Sequence, residues 1–398
     1  MRSARDLRLS VALALLLLAV PAHAVTFIVQ APAATPADAT LYLSGDRAEL
    51  GTWNGRGPAL TRRADGLWWG DVALPAGVTA QYKLTRGSWD SVEKDAQGGE
   101  IGNHSVTIAA ATDTVRVQVA AWRTGDGGGA ARVHTRTGDI RTHAAFTSRF
   151  VAARDILVWL PPGYEKQPSR RYPVVYLLDG QNQFDGATSF LPGQEWRSDE
   201  AADSLIRNGR LAPCILVAVA NSPQRMEEYT AVPDAKNGGG KAALHARFLI
   251  EELKPFIDRT YRTRRAPEHT AVIGSSLGGL AALDLGLDHA DVFGLVGAVS
   301  ASAWWGDEAE TARVKAGQDH RARVWLDVGT AEFRPDDGGH APRIGQSRAL
   351  RDALLARGWR PGEDFRYVEV EGAAHNERAW AARIGDILLF LIGPPLAR

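Results

Sequence analysis

Cysteine is nearly absent from this chain, because Cys214 is the only one among its 398 residues. A single cysteine cannot form a disulfide within the chain, so the fold must rest on an apolar core instead. Cys214 opens the apolar run 214–219, and this context predicts a buried core thiol.

Net charge is also absent, because 46 Lys and Arg residues balance 46 Asp and Glu residues. No overall field therefore attracts the chain to nucleic acid or to an anionic membrane surface. The composition, 45% hydrophobic and 23% charged, is typical of globular proteins. The length favours two domains over one.

The apolar run near the N-terminus, residues 11–20, is too short to span a bilayer. Three arginines precede it, and the small-residue pattern Ala22-His23-Ala24 follows it. This order is typical of a secretory signal peptide. We therefore expect residues 1–24 to be removed near Ala24 and the mature protein to be exported, either to the periplasm or to the medium.

Residues 25–122 alternate short apolar runs with turn signals and show no helical period. Such spacing predicts a small all-β sandwich domain. The predicted strands are 25–29, 40–43, 67–73, 79–84, 105–108 and 115–119. The glycine-rich stretch 123–137 that follows is predicted to be a linker.

Residues 138–398 alternate strand and helix patterns, which predicts an α/β domain with a mostly parallel sheet and helices on both faces. The predicted strands are 156–160, 173–178, 215–220, 270–273, 295–299, 324–328 and 365–370. The clearest predicted helices are 241–260, 277–287, 347–357 and 377–391.

A G-x-S-x-G pattern lies between the predicted strand 270–273 and the predicted helix 277–287. Its residues are Gly274, Ser275, Ser276, Leu277 and Gly278. A strand, a sharp turn and a helix are the context of the nucleophile elbow in the α/β-hydrolase fold. A serine hydroxyl is a poor nucleophile unless a base and oxyanion donors stand beside it. The pattern therefore predicts Ser276 as a nucleophile.

A base and an acid should follow the serine, and in this fold the chain order is serine, acid, histidine. His375 comes after the last predicted strand and before a helix, so it is the predicted base. Three other histidines follow the serine, at positions 289, 320 and 340, but one belongs to the end of the elbow helix and two lie in polar stretches.

Glu332 is the predicted acid, because it lies in the loop at the carboxyl end of the predicted strand 324–328, where catalytic side chains gather. There it would orient His375 and stabilise the imidazolium. Asp327 inside the strand, and Asp336 and Asp337 in the loop, remain alternatives.

Two backbone N–H groups should form the oxyanion hole. One belongs to Leu277, which follows the nucleophile. The other should come from the loop after the strand 173–178, which begins Asp179-Gly180-Gln181. Gln181 is therefore the candidate second donor.

Together these motifs resemble the esterase D family of α/β-hydrolases, which includes S-formylglutathione hydrolases, feruloyl and acetylxylan esterases, enterochelin-type esterases and mycolyltransferases. The resemblance extends from residue 138 to the C-terminus and is carried by 175–182, the elbow, 329–332 and 374–380. It implies that the acid is the fourth residue of the Gly-Thr turn, often Asp, which is Glu332 here. In the mycolyltransferase branch, the residue after Asp-Gly supplies an oxyanion amide, which corresponds to Gln181.

The domain 25–122 resembles the starch-binding, family 20-like carbohydrate-binding module. The matching segments are 41–43, 49–53, 74–77 and 81–84. In that module two tryptophans and a lysine form a sugar-stacking platform, and the resemblance places them at Trp53, Trp89 and Lys83. The alternative is that Trp53 closes the sandwich core and that sugar binding has been lost.

Three further residues are candidates for the substrate pocket. Trp304 and Trp305 follow the predicted strand 295–299, where they could form the rim of an acyl pocket or pack under the loop. Arg225 follows the predicted strand 215–220, where it could face the substrate or belong to a structural turn.

The sequence therefore predicts an exported serine carboxylic-ester hydrolase that works through an acyl-enzyme, with no metal or other cofactor. The N-terminal module favours a glycan-linked feruloyl or acetyl ester, and a siderophore lactone is the second substrate class. Two other classes remain open: an acyltransferase, and a carbohydrate-binding protein with a vestigial hydrolase domain.

Overall fold

The computed structural model describes residues 22–36, 38–51, 54–96, 98, 101–109, 114–123, 134–190, 193–235, 237–317, 321–332 and 343–394. The chain divides into two compact units, residues 1–130 and 131–398. Several predictions fall on residues outside the described ones: most of the signal peptide and of the linker, Trp53, His320, Asp336, Asp337 and His340.

The first unit is an all-β domain. Its strands are β1 (Ala22–Gln30), β2 (Leu41–Gly45), β3 (Ala59–Arg62), β4 (Trp68–Pro75), β5 (Thr79–Thr85), β6 (Glu93–Lys94), β7 (His104–Thr107), β8 (Thr114–Gln118) and β9 (Ala121–Trp122). Seven strands form one sheet in the order β7-β5-β2-β3-β4-β1-β8, and β6 pairs with β9. Short 3-10 helices cover Ala48–Leu50 and Trp89–Ser91.

All six strands predicted in this unit are present, so the prediction of a small all-β domain is confirmed. Alternation along β1 places Val25, Phe27 and Val29 in the core. The additional strands β3, β6 and β9 are only two to four residues long, too short to show an alternating pattern. β1 begins at Ala22 and therefore includes Ala24, the residue near which cleavage of the signal peptide was predicted. The cleavage itself stays a prediction.

The second unit is built on a mixed sheet. Its strands are β10 (Asp139–Phe146), β11 (Arg154–Leu160), β12 (Val174–Leu178), β13 (Ile215–Val219), β14 (Pro233–Asp234), β15 (Gly238–Gly239), β16 (Thr270–Ser275), β17 (Leu295–Val299), β18 (Arg323–Gly329) and β19 (Phe365–Val370). The main sheet has eight strands in the order β10-β11-β13-β12-β16-β17-β18-β19, and β14 pairs with β15. β11 pairs antiparallel with both β10 and β13, whereas the main-sheet neighbours β13, β12, β16, β17, β18 and β19 pair in parallel.

The helices of this unit connect the strands. They are α1 (Ser198–Arg207), α2 (Arg225–Glu228), α3 (Ala242–Arg247), α4 (Lys254–Thr260), α5 (Leu277–Asp288), α6 (Trp305–Ala316), α7 (Arg343–Ala356), α8 (Glu377–Ala381) and α9 (Ile384–Ile392). A π-helical stretch, Phe248–Leu253, joins α3 to α4, and the predicted helix 377–391 is divided into α8 and α9. Among the described residues, none of the helices combines the length and apolarity that a bilayer crossing needs.

Apolar clusters cover both faces of the sheet. Along β12, Val174, Tyr176 and Leu178 belong to one cluster, while Val175 and Leu177 belong to the other. A parallel strand that is buried on both faces reads as an unbroken apolar run, which is the pattern of this segment. The predicted α/β fold is thus confirmed.

Cys214 lies directly before β13 and is fully buried. Burial raises the pKa of its thiol to about 12, so the thiol is neutral at physiological pH. The prediction of a core thiol is confirmed.

The strand order changes direction at β12, which has β13 on one side and β16 on the other. In open α/β sheets, ligands bind outside the carboxyl ends of the strands at such a point. The loops that follow β12, β16, β17 and β18 therefore share the edge where a site is expected.

Gly274 in β16 is tightly enclosed, because a Cβ at this position would lie 2.4 Å from the carbonyl oxygen of Gly278. Overpacking of this kind costs about 1–3 kcal/mol. We predict that Gly274→Ala lowers the free energy of unfolding by about 2 kcal/mol, measured by thermal and denaturant unfolding of the full chain. The control is Gly345→Ala in α7, where a Cβ would meet nothing within 4 Å. An equal loss in both variants would contradict the role of close packing at the elbow.

Candidate active site

Ser276 lies at the turn between β16 and α5, with φ 58° and ψ −123°. A positive φ is rare for residues other than glycine and marks a backbone held under strain by its surroundings. The Ser276 N–H donates to the carbonyl of Val299 at 3.0 Å, and the Ser276 carbonyl accepts from the N–H of Ser302 at 3.0 Å. The Oγ atoms of Ser276 and Ser302 are 3.3 Å apart. The elbow is therefore fastened to the end of β17.

Glu332 and His375 are hydrogen-bonded to each other, with 3.0 Å between Glu332 Oε2 and His375 Nδ1. Glu332 follows β18 and is nearly buried, whereas the His375 side chain, between β19 and α8, is 23% exposed. The ring of Trp380 packs edge-on against the imidazole, with 5.1 Å between the ring centroids. The predicted acid and base thus meet, and part of the imidazole remains exposed.

Glu332 Oε1 accepts hydrogen bonds from the N–H of Gly329 at 2.6 Å and from the hydroxyl of Ser300. Burial raises the pKa of the Glu332 carboxyl. The hydrogen bond and the charge of His375, together with the hydrogen bonds from Ser300 and Gly329, lower it by more. The pKa of Glu332 therefore lies below its ordinary value. The carboxylate is ionised at neutral pH, as an acceptor for an imidazolium must be.

Ser300, at the end of β17, links several of these groups and was not predicted. Its hydroxyl donates to Glu332 and accepts from Trp380 Nε1 at 3.0 Å and from Arg383 Nη2 at 3.1 Å. Its φ is 45°, a second strained backbone position near the elbow. These partners lie 32, 80 and 83 residues away along the chain, so no local sequence motif marks the serine.

Asp327, the alternative acid, is fully buried inside β18. Its Oδ1 accepts from Arg383 Nη1 at 2.9 Å and from the Ser300 N–H at 3.0 Å, and its Oδ2 accepts from Trp325 Nε1 at 2.7 Å. Both oxygens are thus engaged in a buried ion-pair network. The geometry favours Glu332 over Asp327 as the partner of His375.

The two predicted oxyanion donors follow adjacent parallel strands, Gln181 after β12 and Leu277 after β16. In the described part of the chain, the N–H of neither residue donates to a protein atom. Two acceptor groups of Gln181 are engaged, because its Oε1 accepts from the Asn221 N–H at 3.1 Å and its carbonyl accepts from Thr188 Oγ1 at 3.0 Å. Both N–H groups are therefore available to a ligand.

An ion pair holds the loop that carries Gln181. Arg225 donates to Asp179 through Nε at 2.6 Å and Nη2 at 2.7 Å, and Asn221 Nδ2 donates to the same carboxylate at 2.6 Å. Gly180 must be glycine, because a Cβ there would lie 2.6 Å from the backbone of residues 218–220. The ion pair with Asp179 supports the structural role of Arg225. Direct contact of Arg225 with substrate stays a prediction.

The two tryptophans after β17 differ in burial. Trp305 is 2% exposed, and its Nε1 donates to the carbonyl of Val232 at 2.8 Å, so it packs under the loop. Trp304 is half-buried, with its ring centroid 5.7 Å from that of Trp305. A position of Trp304 at the rim of the pocket stays a prediction.

The predicted sugar platform of the first unit is partly described. Lys83 in β5 is largely buried and donates from Nζ to the carbonyl of Ile101. Trp89 is half-buried, and a Cβ at Gly55 would lie 3.3 Å from its ring. Gly55 therefore lies beside Trp89. Trp53 lies outside the described residues.

Two protein-family models match this chain. The model described as putative esterase matches residues 148–391, and the model described as starch binding domain matches residues 22–118. An uncharacterised protein of Bacillus subtilis (strain 168), YbbA, is 26% identical over 263 residues, which are 64% of this chain and 97% of YbbA.

Two further proteins are similar over parts of the chain. The endo-1,4-beta-xylanase/feruloyl esterase of Xylanibacter ruminicola is 29% identical over 229 residues, which are 56% of this chain but only 27% of that protein. The crystal structure of the enterobactin esterase of Shigella flexneri has a TM-score of 0.52 at 17% identity, covering 88% of this chain and 87% of that one. This second likeness shows a shared fold alone.

The esterase model matches more than half of the chain, and the starch-binding model coincides with the all-β unit. Both predicted resemblances are confirmed. The chain belongs to the esterase family of α/β-hydrolases and carries an N-terminal domain of the starch-binding family.

Proposed function

We propose that this protein is an exported serine carboxylic-ester hydrolase that works through an acyl-enzyme on Ser276. The observation that carries the proposal is the hydrogen bond between Glu332 and His375, at the sheet edge where the Ser276 elbow ends. An acid, a base and a strained serine at one edge are the parts that serine hydrolysis needs.

In the first half-reaction, His375 Nε2 takes the proton of the Ser276 hydroxyl while Oγ attacks the ester carbonyl carbon. Glu332 keeps the proton on Nδ1 and stabilises the imidazolium that forms. The N–H groups of Leu277 and Gln181 donate to the oxyanion. The tetrahedral intermediate then collapses, the ester C–O bond breaks, and the leaving alcohol takes the proton from Nε2.

In the second half-reaction, His375 takes a proton from water, and the hydroxide attacks the acyl carbon. Collapse releases the carboxylic acid and returns the proton to Ser276.

An acceptor alcohol in place of water would make the protein an acyltransferase. Product analysis with added sugar or lipid alcohols separates the two reactions, and hydrolysis as the main product is the result that we expect.

The proposed substrate is a feruloyl or acetyl ester on a polysaccharide. The starch-binding domain supports a glycan, and the similarity to a protein named xylanase/feruloyl esterase supports an aromatic acyl group. A panel of feruloyl sugars, acetylated sugars and catecholate lactones tests this choice. Turnover of the lactones alone would instead make the protein a siderophore esterase.

Replacing the nucleophile tests the reaction itself. We predict that Ser276→Ala abolishes hydrolysis of p-nitrophenyl acetate, lowering kcat by at least about 10³-fold, because no acyl-enzyme can form. The control is Ser302→Ala, the neighbouring hydroxyl, which should retain activity within about tenfold. Full activity in Ser276→Ala would refute the proposed mechanism.

A pair of variants separates the two candidate acids. We predict that Glu332→Gln lowers kcat by about 10³–10⁴-fold with little change in KM, because the imidazolium loses its partner. Asp327→Asn should instead lower the free energy of unfolding by about 3 kcal/mol or more, since Arg383 is left without its buried partner. The folded fraction of Asp327→Asn should turn over within about tenfold of the wild-type rate. The reverse pattern would assign the acid role to Asp327.

The N-terminal domain is tested by starch affinity. We predict that Trp53→Ala and Trp89→Ala each weaken binding to soluble starch by about tenfold or more, because stacking on the sugar faces is lost. Trp69→Ala is the control, since Trp69 in β4 is half-buried like Trp89 but was not predicted to bind sugar. Affinity gel electrophoresis gives the three values. Unchanged affinity in both variants would leave these tryptophans without a sugar-binding role.

A further inference from the structure

A group of three carboxylates lies where the chain enters α1. Glu195, Asp199 and Glu200 each present one oxygen, and these oxygens all lie within 4.8 Å of one another. Glu195 is 6% exposed and Asp199 is fully buried, while Glu200 is half-buried. Among the described residues no other group of carboxylate, imidazole or thiol ligands has this spacing.

One oxygen of each carboxylate is engaged outside the group. Glu195 Oε1 accepts from Thr135 Oγ1, and Asp199 Oδ2 accepts from the Thr137 N–H at 2.7 Å. These two bonds anchor the buried acids to the segment that precedes β10.

The second oxygen of each carboxylate has no donor from elsewhere in the described chain. Glu195 Oε2, Asp199 Oδ1 and Glu200 Oε2 are all buried, and no described N–H group or hydroxyl donates to them. The Asp199 and Glu200 carboxyls are within hydrogen-bond distance of each other, which requires a proton or a cation between them. Three buried acceptors without donors are costly, since each has lost its water without replacement. The orphaned oxygens are therefore evidence that a positive species belongs between them.

Protein groups neutralise only part of this charge. Arg197 Nε donates to Glu200 Oε1 at 3.3 Å, and in the described part of the chain no other cationic side chain forms an ion pair with these three carboxylates. A divalent cation would balance the remaining carboxylates when they are ionised.

We propose that Glu195, Asp199 and Glu200 form a site for a hard divalent cation, Ca²⁺ in preference to Mg²⁺. An all-oxygen set with two buried carboxylates is the donor chemistry of these ions. Ca²⁺ accepts irregular geometry and bonds of about 2.3–2.6 Å, so it tolerates oxygens spread over this distance, and water can complete its shell. Mg²⁺ demands a tighter octahedron, which three carboxylates on one short segment do not supply.

The cation would brace the second unit next to the Gln181 loop. The N–H of Trp196 donates to the Asn182 carbonyl at 2.9 Å, and the N–H of Ser198 donates to the Gln183 carbonyl at 3.0 Å. These bonds connect the carboxylate segment to the residues just after Gln181. The role is structural and does not depend on the ester chemistry, so it can be tested whether or not the protein turns over esters.

Terbium luminescence tests the site directly. Tb³⁺ replaces Ca²⁺ in oxygen sites, and the indole of Trp196, adjacent in sequence to Glu195, can transfer excitation energy to it. EDTA-treated full-length protein, titrated with Tb³⁺ and excited at the indole band, should show saturable emission. Ca²⁺ should displace the signal at a concentration about tenfold or more below that of Mg²⁺. Saturating Ca²⁺ should also raise Tm by about 5 °C.

Variants locate the binding. Asp199→Asn and Glu195→Gln should each lose the terbium signal and the Ca²⁺-dependent rise in Tm. Glu251→Gln, which removes an exposed carboxylate paired with Arg247, should keep both. If Asp199→Asn does not fold, the wild-type titration alone still decides, because wild-type protein without saturable emission overturns the proposal.

The thermal shift separates a cation from a shared proton. An equal Tm with and without saturating Ca²⁺ would mean that the acids share a proton only, and it would overturn the proposal.

Discussion

The contact on which the site depends is the one between the Ser300 hydroxyl and Glu332. Ser300 directly follows β17, and its hydroxyl also accepts from Trp380 and Arg383, while Arg383 forms a buried ion pair with Asp327. This network fixes Glu332, the proposed acid, before any substrate arrives. Because Trp380 also packs against His375, the same contacts fix the imidazole. A catalytic group held in this way has little reorganisation left to do during the reaction.

A second network, formed by Asp179 and Arg225, holds the loop that carries the proposed oxyanion donor Gln181. The bidentate pair between Asp179 and Arg225 holds the loop whose Gln181 N–H has no protein acceptor in the described chain. On the other side, the Ser276 N–H is bound to the end of β17, so the strained elbow cannot relax. The two networks leave a serine hydroxyl, an imidazole and two N–H donors at one edge of the sheet. This is the set of groups that the proposed serine mechanism of ester hydrolysis requires.

Much of this arrangement could be predicted from the sequence, because its signals are local. The elbow is a short motif, and Glu332 and His375 follow strands whose apolar runs are unmistakable. Ser300 and the pair between Asp179 and Arg225 could not be predicted, since their roles arise from contacts between residues distant along the chain. Glu332 was favoured over Asp327 because Asp327 lies inside the strand, but the partner of Asp327, Arg383, could not be predicted from the sequence. The edge strand β10 was missed because it is mostly exposed and lacks an apolar alternation.

Active-site labelling tests the central claim most directly, that Glu332 acts through His375 to activate Ser276. A fluorophosphonate reacts only with an activated serine, and peptide mass mapping then locates the modification. The account predicts a single label on Ser276, formed about 10³-fold more slowly in Glu332→Gln and within about tenfold of the wild-type rate in folded Asp327→Asn. A label on Ser302, whose Oγ lies 3.3 Å from that of Ser276, or an unchanged rate in Glu332→Gln, would contradict it.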